Sequence, residues 1–193
     1  MSQSIDTMTI RDAIYGRCSV RSYTSERIDQ PTLHTLLAAA VRAPTAMHGE
    51  PWQFAIVQDA ELLKRLSDRA KELFSAEAAH LHPDQHSLAV FTQPSFNVFY
   101  DAGTLVVICA KNTGHFALAD CWLAAQNLML AAHGMGLGTC VIGSAASALN
   151  LPDVKLELGI PPATTAVAPI IVGKPRGEAL ASARNEPQVL AWR

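Results

Sequence analysis

Residues 116–136, FALADCWLAAQNLMLAAHGMG, are apolar around almost the whole circumference of the helix they predict, and the strong polar interruptions are Asp120, Gln126 and Asn127. A helix apolar all round is buried, either inside a large core or against another chain. The sequence has 193 residues, enough for one sizeable domain, so the expected cover is a partner subunit. This helix therefore predicts a layered domain that is completed by a second copy of itself.

The flanking pattern supplies the layers. WQFAIVQ (52–58) and TLVVICA (104–110) read as buried strands, and LGTCVIG and TAVAPIIVG supply two more around a short helix, LPDVKLELG. A first helix is predicted from an N-cap at Thr9 to Tyr15, with Gly16 as its stop. A second follows Asp29 and Pro31, with Leu33, Leu36, Leu37, Ala40 and Val41 on one face and Pro44 beyond its end. A third carries Leu62, Leu63, Leu66, Ala70, Leu73 and Phe74. Residues 77–100 lack a clean period and read as a helical excursion or lid, and the charged tail 174–193 reads as an arm lying on a neighbour. Strands separated by helices imply an α+β or α/β layered domain covering 1–193 as one unit. Their directions stay open at this level.

Composition removes several function classes. Hydrophobic residues make up 49% and the net charge is −2, which disfavours both a disordered chain and a protein with a general basic face for nucleic acid. No basic-then-apolar leader opens the sequence and no apolar run is long enough to span a bilayer, so a cytoplasmic protein with no membrane partner is expected. Cys18, Cys109, Cys121 and Cys140 are widely spaced without a C-x-x-C pair, which suggests reduced core residues rather than a zinc site or disulfide framework. His80, His82 and His86 lack an acidic or cysteine framework for a metal.

Four islands remain. GRCSVRSY places Arg17, Ser19 and Arg21 just past a helix end, where two guanidiniums and a hydroxyl suit an anion, although a solvated basic turn has the same pattern. RAPTAMHGEPW is a rigid helix-to-strand connection suited to a flat ligand, or simply a loop with turn residues. GMGLGTCVIG lacks the strand-then-helix frame of a dinucleotide fingerprint, and more simply ends the long helix while letting the backbone approach something closely. Lys174, Arg176 and Arg184 make the tail basic, which by itself speaks only for solubility.

Taken in order, RCSVR, APTAMHGEPW, GLGTCVIG and SARNEPQVLAW resemble the FMN-dependent nitroreductase family across nearly the whole chain. The family pattern is an R-x-S-x-R/K stretch, an A-P-S-x-x-N-x-Q-P-W loop, an apolar helix ending in G-L-G-T before an I-G strand, and a late arginine. The resemblance implies a three-layer α/β/α sandwich, with a mixed central sheet surrounded by helices, in an intertwined homodimer with FMN at the subunit interface. By the same token Arg17, Cys18 (through its backbone) and Ser19 would hold the phosphate and ribityl region, Arg21 would sit toward the pyrimidine edge, and Arg184 would reach the phosphate. Pro44, Thr45, Ala46 and His48 would touch the flavin from the other subunit, Arg42 matches a position some members also use, and backbone N–H groups at Ile142 and Gly143 would approach flavin N5. His48 stands where the family usually has asparagine, and Glu50 where it has glutamine.

The implied reaction is a ping-pong cycle in which NADH or NADPH delivers hydride to flavin N5 and an oxidised acceptor, such as a nitroaromatic or quinone, then takes the electrons. No catalytic side chain is required beyond the flavin, and Arg21 is the cation expected where charge develops on the reduced ring. Phe91, Phe96, Phe99 and Tyr100 are expected to shape the acceptor pocket. Ene reduction, dehalogenation, flavin destruction, or a flavin-binding module with little turnover are the competing readings.

Overall fold

A strand such as Thr104–Ala110, with six apolar residues in succession after its threonine, is stable only when both faces are covered. In the computed structural model, which describes residues 8–81, 90–91, 93–178 and 183–193, this run is β2 (Thr104–Ala110) and every residue of it is buried. It lies between β1 (Trp52–Val57) and β4 (Thr165–Gly173), and β3 (Gly138–Val141) closes the order β1-β2-β4-β3. All three pairings are antiparallel. The mixed character expected of the sheet enters through one isolated parallel bridge, Ser19 to Thr139.

Alternation along β2 builds the layers. Leu105, Val107 and Cys109 join a core with Leu63, Leu66 and Ala70 of α3 (Ala60–Leu81), Leu149 of α5 (Ala146–Leu149) and Val154 of α6 (Pro152–Leu158). Val106, Ile108 and Ala110 face the opposite core, built by α2 (Gln30–Ala40) and α4 (His115–Gly134). The register steps from Ile108–Ala168 to Cys109–Ala166, leaving Val167 as an extra residue. That bulge is why Ala166 and Ala168, two positions apart, serve opposite cores.

The helix signals act where the sequence places them. Thr9 and Asp12 form a reciprocal capping box at the start of α1 (Ile10–Gly16), and the Asp29 carboxylate accepts from the Thr32 amide at 2.8 Å to begin α2. α3 runs beyond the predicted Phe74 through residues 77–81, and 93–100 form turns. The middle of the predicted excursion, with His82 and His86, lies outside the described residues.

Within one protomer α4 is covered on one face only. Its inner face, including Cys121, Ala124, Ala125, Leu128 and Ala132, is fully enclosed, with alanines permitting close approach of α2 and the sheet. Its outer face leaves Phe116, Trp122 and Leu123 exposed, because a single protomer provides a layer on one side only. The tail starts out tied down, with the Arg176 amide donating to Ser22 O at 2.9 Å and the Thr24 amide to Lys174 O at 3.0 Å. Residues 183–193 form neither helix nor strand and are exposed, Leu190 fully and Trp192 to 92%.

Candidate functional site

Residues 17–21 follow the two-residue period of an edge strand: Cys18 and Val20 are buried, while Ser19 and Arg21 are exposed and Arg17 is half-buried. The segment lies along β3, with the Val20 amide donating to Thr139 O at 3.0 Å. Gly138 makes this approach possible, because a Cβ there would stand 2.9 Å from the Val20 side chain. The Tyr23 hydroxyl donates to Val20 O at 2.7 Å and fixes the turn that follows, and burial raises its phenol well above the usual range. Arg17, Ser19 and Arg21 therefore point to one side as a row.

That row meets the third island. Arg21, Cys140, Ile142, Gly143, Phe96 and Tyr100 line a cleft of about 110 Å³, with Phe91, Val98 and Ser144 completing its wall. The aromatic wall is an edge-to-face stack, Phe91 on Phe96 at 5.4 Å and Phe96 on Tyr100 at 5.7 Å between centroids. A Cβ placed on Gly143 would meet nothing within 4 Å, so a flat group can lie against the backbone there. The Cys140 thiol sits beneath the row: burial raises its pKa, while Arg21, a hydrogen bond with Ser19 and Arg17 act in the opposite direction. Phe99 is a correction. It is 1% exposed and packs in the α3-side core beside Val98, while Tyr100, the next residue in the turn, lines the cleft.

The proline-rich loop lies elsewhere. It turns through a 3₁₀ turn at Ala46–His48, and the Ala46 amide donates to both oxygens of Asp120, at 3.3 and 3.2 Å. From Asp120 to His133, whose imidazole packs on Gly16 next to Arg17, is thirteen residues of α4. At the α-helical rise the two islands are thus about 20 Å apart in one protomer. Arg42, Pro44 and His48 are exposed, Thr45 and Ala46 half-buried, and Met47 is 95% exposed. Met47, His48 and Glu50 hold φ of 53°, 54° and 38°. Non-glycine residues in the left-handed region persist where surrounding contacts dictate them, and they gather at functional sites.

Asp120 is the residue that sequence reasoning missed. It is 6% exposed, a carboxylate inside an otherwise apolar helix, and its hydrogen bond to Ala46 anchors the strained loop. The one available signal was its polarity in that context. Arg184 lies on the exposed tail, where its guanidinium donates to Ala183 O at 3.2 Å, and no hydrogen bond joins it to residues 17–21 among the described residues.

The charge census separates the candidate cations from the structural ones. Among the described residues the ion pairs engage Lys64, Arg65, Arg69, Lys71 and Lys174, and none of Arg17, Arg21, Arg42 or Arg184. Among the described residues no helix is long and apolar enough to cross a membrane.

Known proteins share this fold and much of this sequence. A Bacteroides fragilis nitroreductase crystallised with bound FMN superposes with a TM-score of 0.80 at 26% identity, over 96% of this chain and 98% of that one. An Archaeoglobus fulgidus protein named as an NADH dehydrogenase/NAD(P)H nitroreductase is 28% identical over 170 residues, 86% of this chain and 84% of its own. An iodotyrosine deiodinase of Thermotoga neapolitana is 27% identical over 133 residues, 66% of this chain and 70% of its own. The profile of the Nitroreductase family matches residues 14–174, from the helix that delivers Arg17 to the strand pair that closes the sheet, and the chain belongs to that family.

Proposed function

We propose that this protein is an FMN-dependent NAD(P)H oxidoreductase acting on nitroaromatic, quinone or similar acceptors, as a homodimer with flavin held between subunits. The observation that carries the reading is the row Arg17, Ser19 and Arg21, whose guanidiniums enter no ion pair among the described residues, set against the open backbone of Gly143. Unpaired arginines beside a hydroxyl form a bidentate phosphate grip, and an open glycine in an aromatic-walled cleft accommodates a flat ring. The residues present therefore fit FMN.

FMN, when bound, supplies a ring that takes hydride from NADH or NADPH and passes electrons to an acceptor. The chain does the rest. Arg17 and Ser19, with the Cys18 backbone, hold the phosphate and ribityl oxygens, and Arg184 adds a cation from the tail. Arg21 places a fixed positive charge where negative charge grows on the reduced ring. Ile142 and Gly143 present backbone to the ring, while Phe91, Phe96 and Tyr100 wall the acceptor side and keep water out.

The separation along α4 supports the dimer. The loop lies about 20 Å along α4 from the row within one protomer, and a second copy seated on the exposed α4 face would bring its loop to the row. In that arrangement Arg42, Pro44, Thr45, Ala46 and His48 meet the flavin of the other subunit. Four buried free thiols are consistent with the reducing cytoplasm.

The test is the absorbance of the protein after saturation with FMN and desalting, followed by anaerobic NADPH and then NADH. Retained flavin that bleaches is the expected result, and a colourless protein would overturn the reading. Retained flavin that neither nucleotide bleaches would mean a flavin-binding module. The deiodinase relative favours one second reading, reductive dehalogenation in the same cleft. A steady-state panel of a nitroaromatic, a quinone and a halogenated phenol separates the two.

A further inference from the structure

A larger cavity, about 420 Å³, lies beside the flavin-side cleft, between the first turns of α3 and the turns before β2. Its size falls within the range of small-molecule sites, roughly 300–1,000 Å³. Ala60, Leu63, Phe96 and Ala102 form an apolar floor. The charged groups facing it are Arg27, Lys64, Asp68 and Asp101. Asp68 is answered by Lys64 at 2.6 Å and Lys71 at 3.0 Å, and those hydrogen bonds hold its carboxyl below the usual range. Asp101 accepts from Asn97 Nδ2 of the side-chain amide at 2.9 Å.

Arg27 has no ion pair among the described residues. Arg27 is itself exposed, and its segment is drawn against the turn before β2 because Gly103 lets the backbone of Ser25 and Glu26 pass where a Cβ would stand 2.7 Å from Glu26 O. Ser67, also on the wall, is 2% exposed; it accepts from the Val98 amide at 3.0 Å, and its hydroxyl proton has no acceptor among the described residues. An apolar floor, one uncommitted guanidinium and one buried donor select an apolar molecule with an anionic end.

The two cavities share a wall. Phe96 lines both, and the adjoining residues Tyr100 and Asp101, with φ of 51° and 59°, face one cavity each. Two consecutive non-glycine residues in the left-handed region form a turn held by its surroundings, which an occupant on one side can bias. We propose that the larger cavity is an effector site for a small apolar carboxylate, distinct from the flavin site and coupled to the acceptor side through Phe96. The binding half stands without the flavin reading, and the regulatory half rests on it.

Octanoate is the probe and octanamide its uncharged control, titrated calorimetrically into the full-length protein with and without FMN. Saturable octanoate binding is expected, weakened about tenfold or more by Arg27→Gln and by the change to octanamide, as for loss of a charged hydrogen bond. Arg27→Gln should keep wild-type FMN affinity. With FMN bound, octanoate should change the acceptor KM in wild type and not in Arg27→Gln, which separates this site from binding over the flavin. Equal octanoate affinity in wild type and Arg27→Gln, or no saturable binding, would overturn the site. Arg27-dependent binding with an unchanged acceptor KM would overturn its coupling.

Discussion

Replacing Asp120 by alanine should loosen flavin binding while leaving the fold nearly as stable as before. The carboxylate is 6% exposed and both oxygens lie within 3.3 Å of the Ala46 amide, so the lost contact is a charge-assisted hydrogen bond. Such bonds contribute about 1.5–3 kcal/mol. The left-handed backbone of Met47, His48 and Glu50 costs on the order of 1–3 kcal/mol per residue, so the anchor is a sizeable part of what holds the loop. Global stability should change little, because alanine also removes a costly buried charge from the apolar helix. If the loop completes the flavin site, its release should raise the FMN dissociation constant about tenfold or more, at 1.4 kcal/mol per decade. Asp120→Asn retains an oxygen that can accept from Ala46 and should recover most of the affinity. Flavin fluorescence titration gives the constant and thermal unfolding the stability. The reasoning fails if Asp120→Ala binds FMN as tightly as wild type, or if Asp120→Asn loses as much as Asp120→Ala.

Arg17→Ala should weaken FMN about tenfold or more by removing a charged hydrogen-bond donor. Arg21→Ala should instead lower the two-electron potential of bound flavin by about 30 mV, the equivalent of about 1.4 kcal/mol of lost stabilisation; an unchanged potential in a dye-equilibrium titration would remove Arg21 from that role. Gly138→Ala forces a Cβ to within 2.9 Å of Val20, an overpacking of about 1–3 kcal/mol that should lower the melting temperature by about 2–10 °C and reduce FMN retention. Burial pushes the Cys109 thiol up to about 11 and the Cys121 thiol up to about 12, from 9.0. Between pH 9 and 11 the unfolded chain has lost protons that the native one keeps, so stability should fall with rising pH, by about 1.4 kcal/mol per unit per thiol. Cys121→Ala should flatten that slope in melts from pH 8 to 10.5, and an unchanged slope would mean the thiol does not contribute.

The elements legible from sequence are those whose signals are local. The Thr9 and Asp29 caps set helix starts because each bonds a backbone amide three residues on. The unbroken apolar run of β2 marks a strand covered on both faces. The bulge at Val167 was not legible, since TAVAPIIVG reads equally well as a regular strand and the extra residue is defined only by its partner β2. Phe99 was misplaced for a related reason. A cluster of aromatics identifies an aromatic wall, but which rings face the cleft depends on the turn that carries them, and that turn holds two left-handed residues at positions without glycine.

The same distinction explains what could be read of the site. Arg17, Ser19 and Arg21 are recognisable as a local cluster of two guanidiniums and a hydroxyl, while their common direction is set by the long-range pairing of Val20 with Thr139. Asp120 and Ala46 are 74 residues apart and meet across two elements, so only the fold pairs them. Yet the apolar helix held a clue. A carboxylate buried among alanines is destabilising unless something repays its desolvation, and here the partner is the amide of a loop whose next residues occupy strained conformations. One helix thus fixes both halves of the proposed site: its C-terminal end seats Gly16 against His133, and its N-terminal turns hold the loop. Because the helix is rigid and about 30 Å long, the halves cannot approach within one protomer. Phe116, Trp122 and Leu123 are exposed on that same helix, and the proposed dimer would cover them. In the proposed dimer the same helix would therefore both present the interface and divide the site between the subunits.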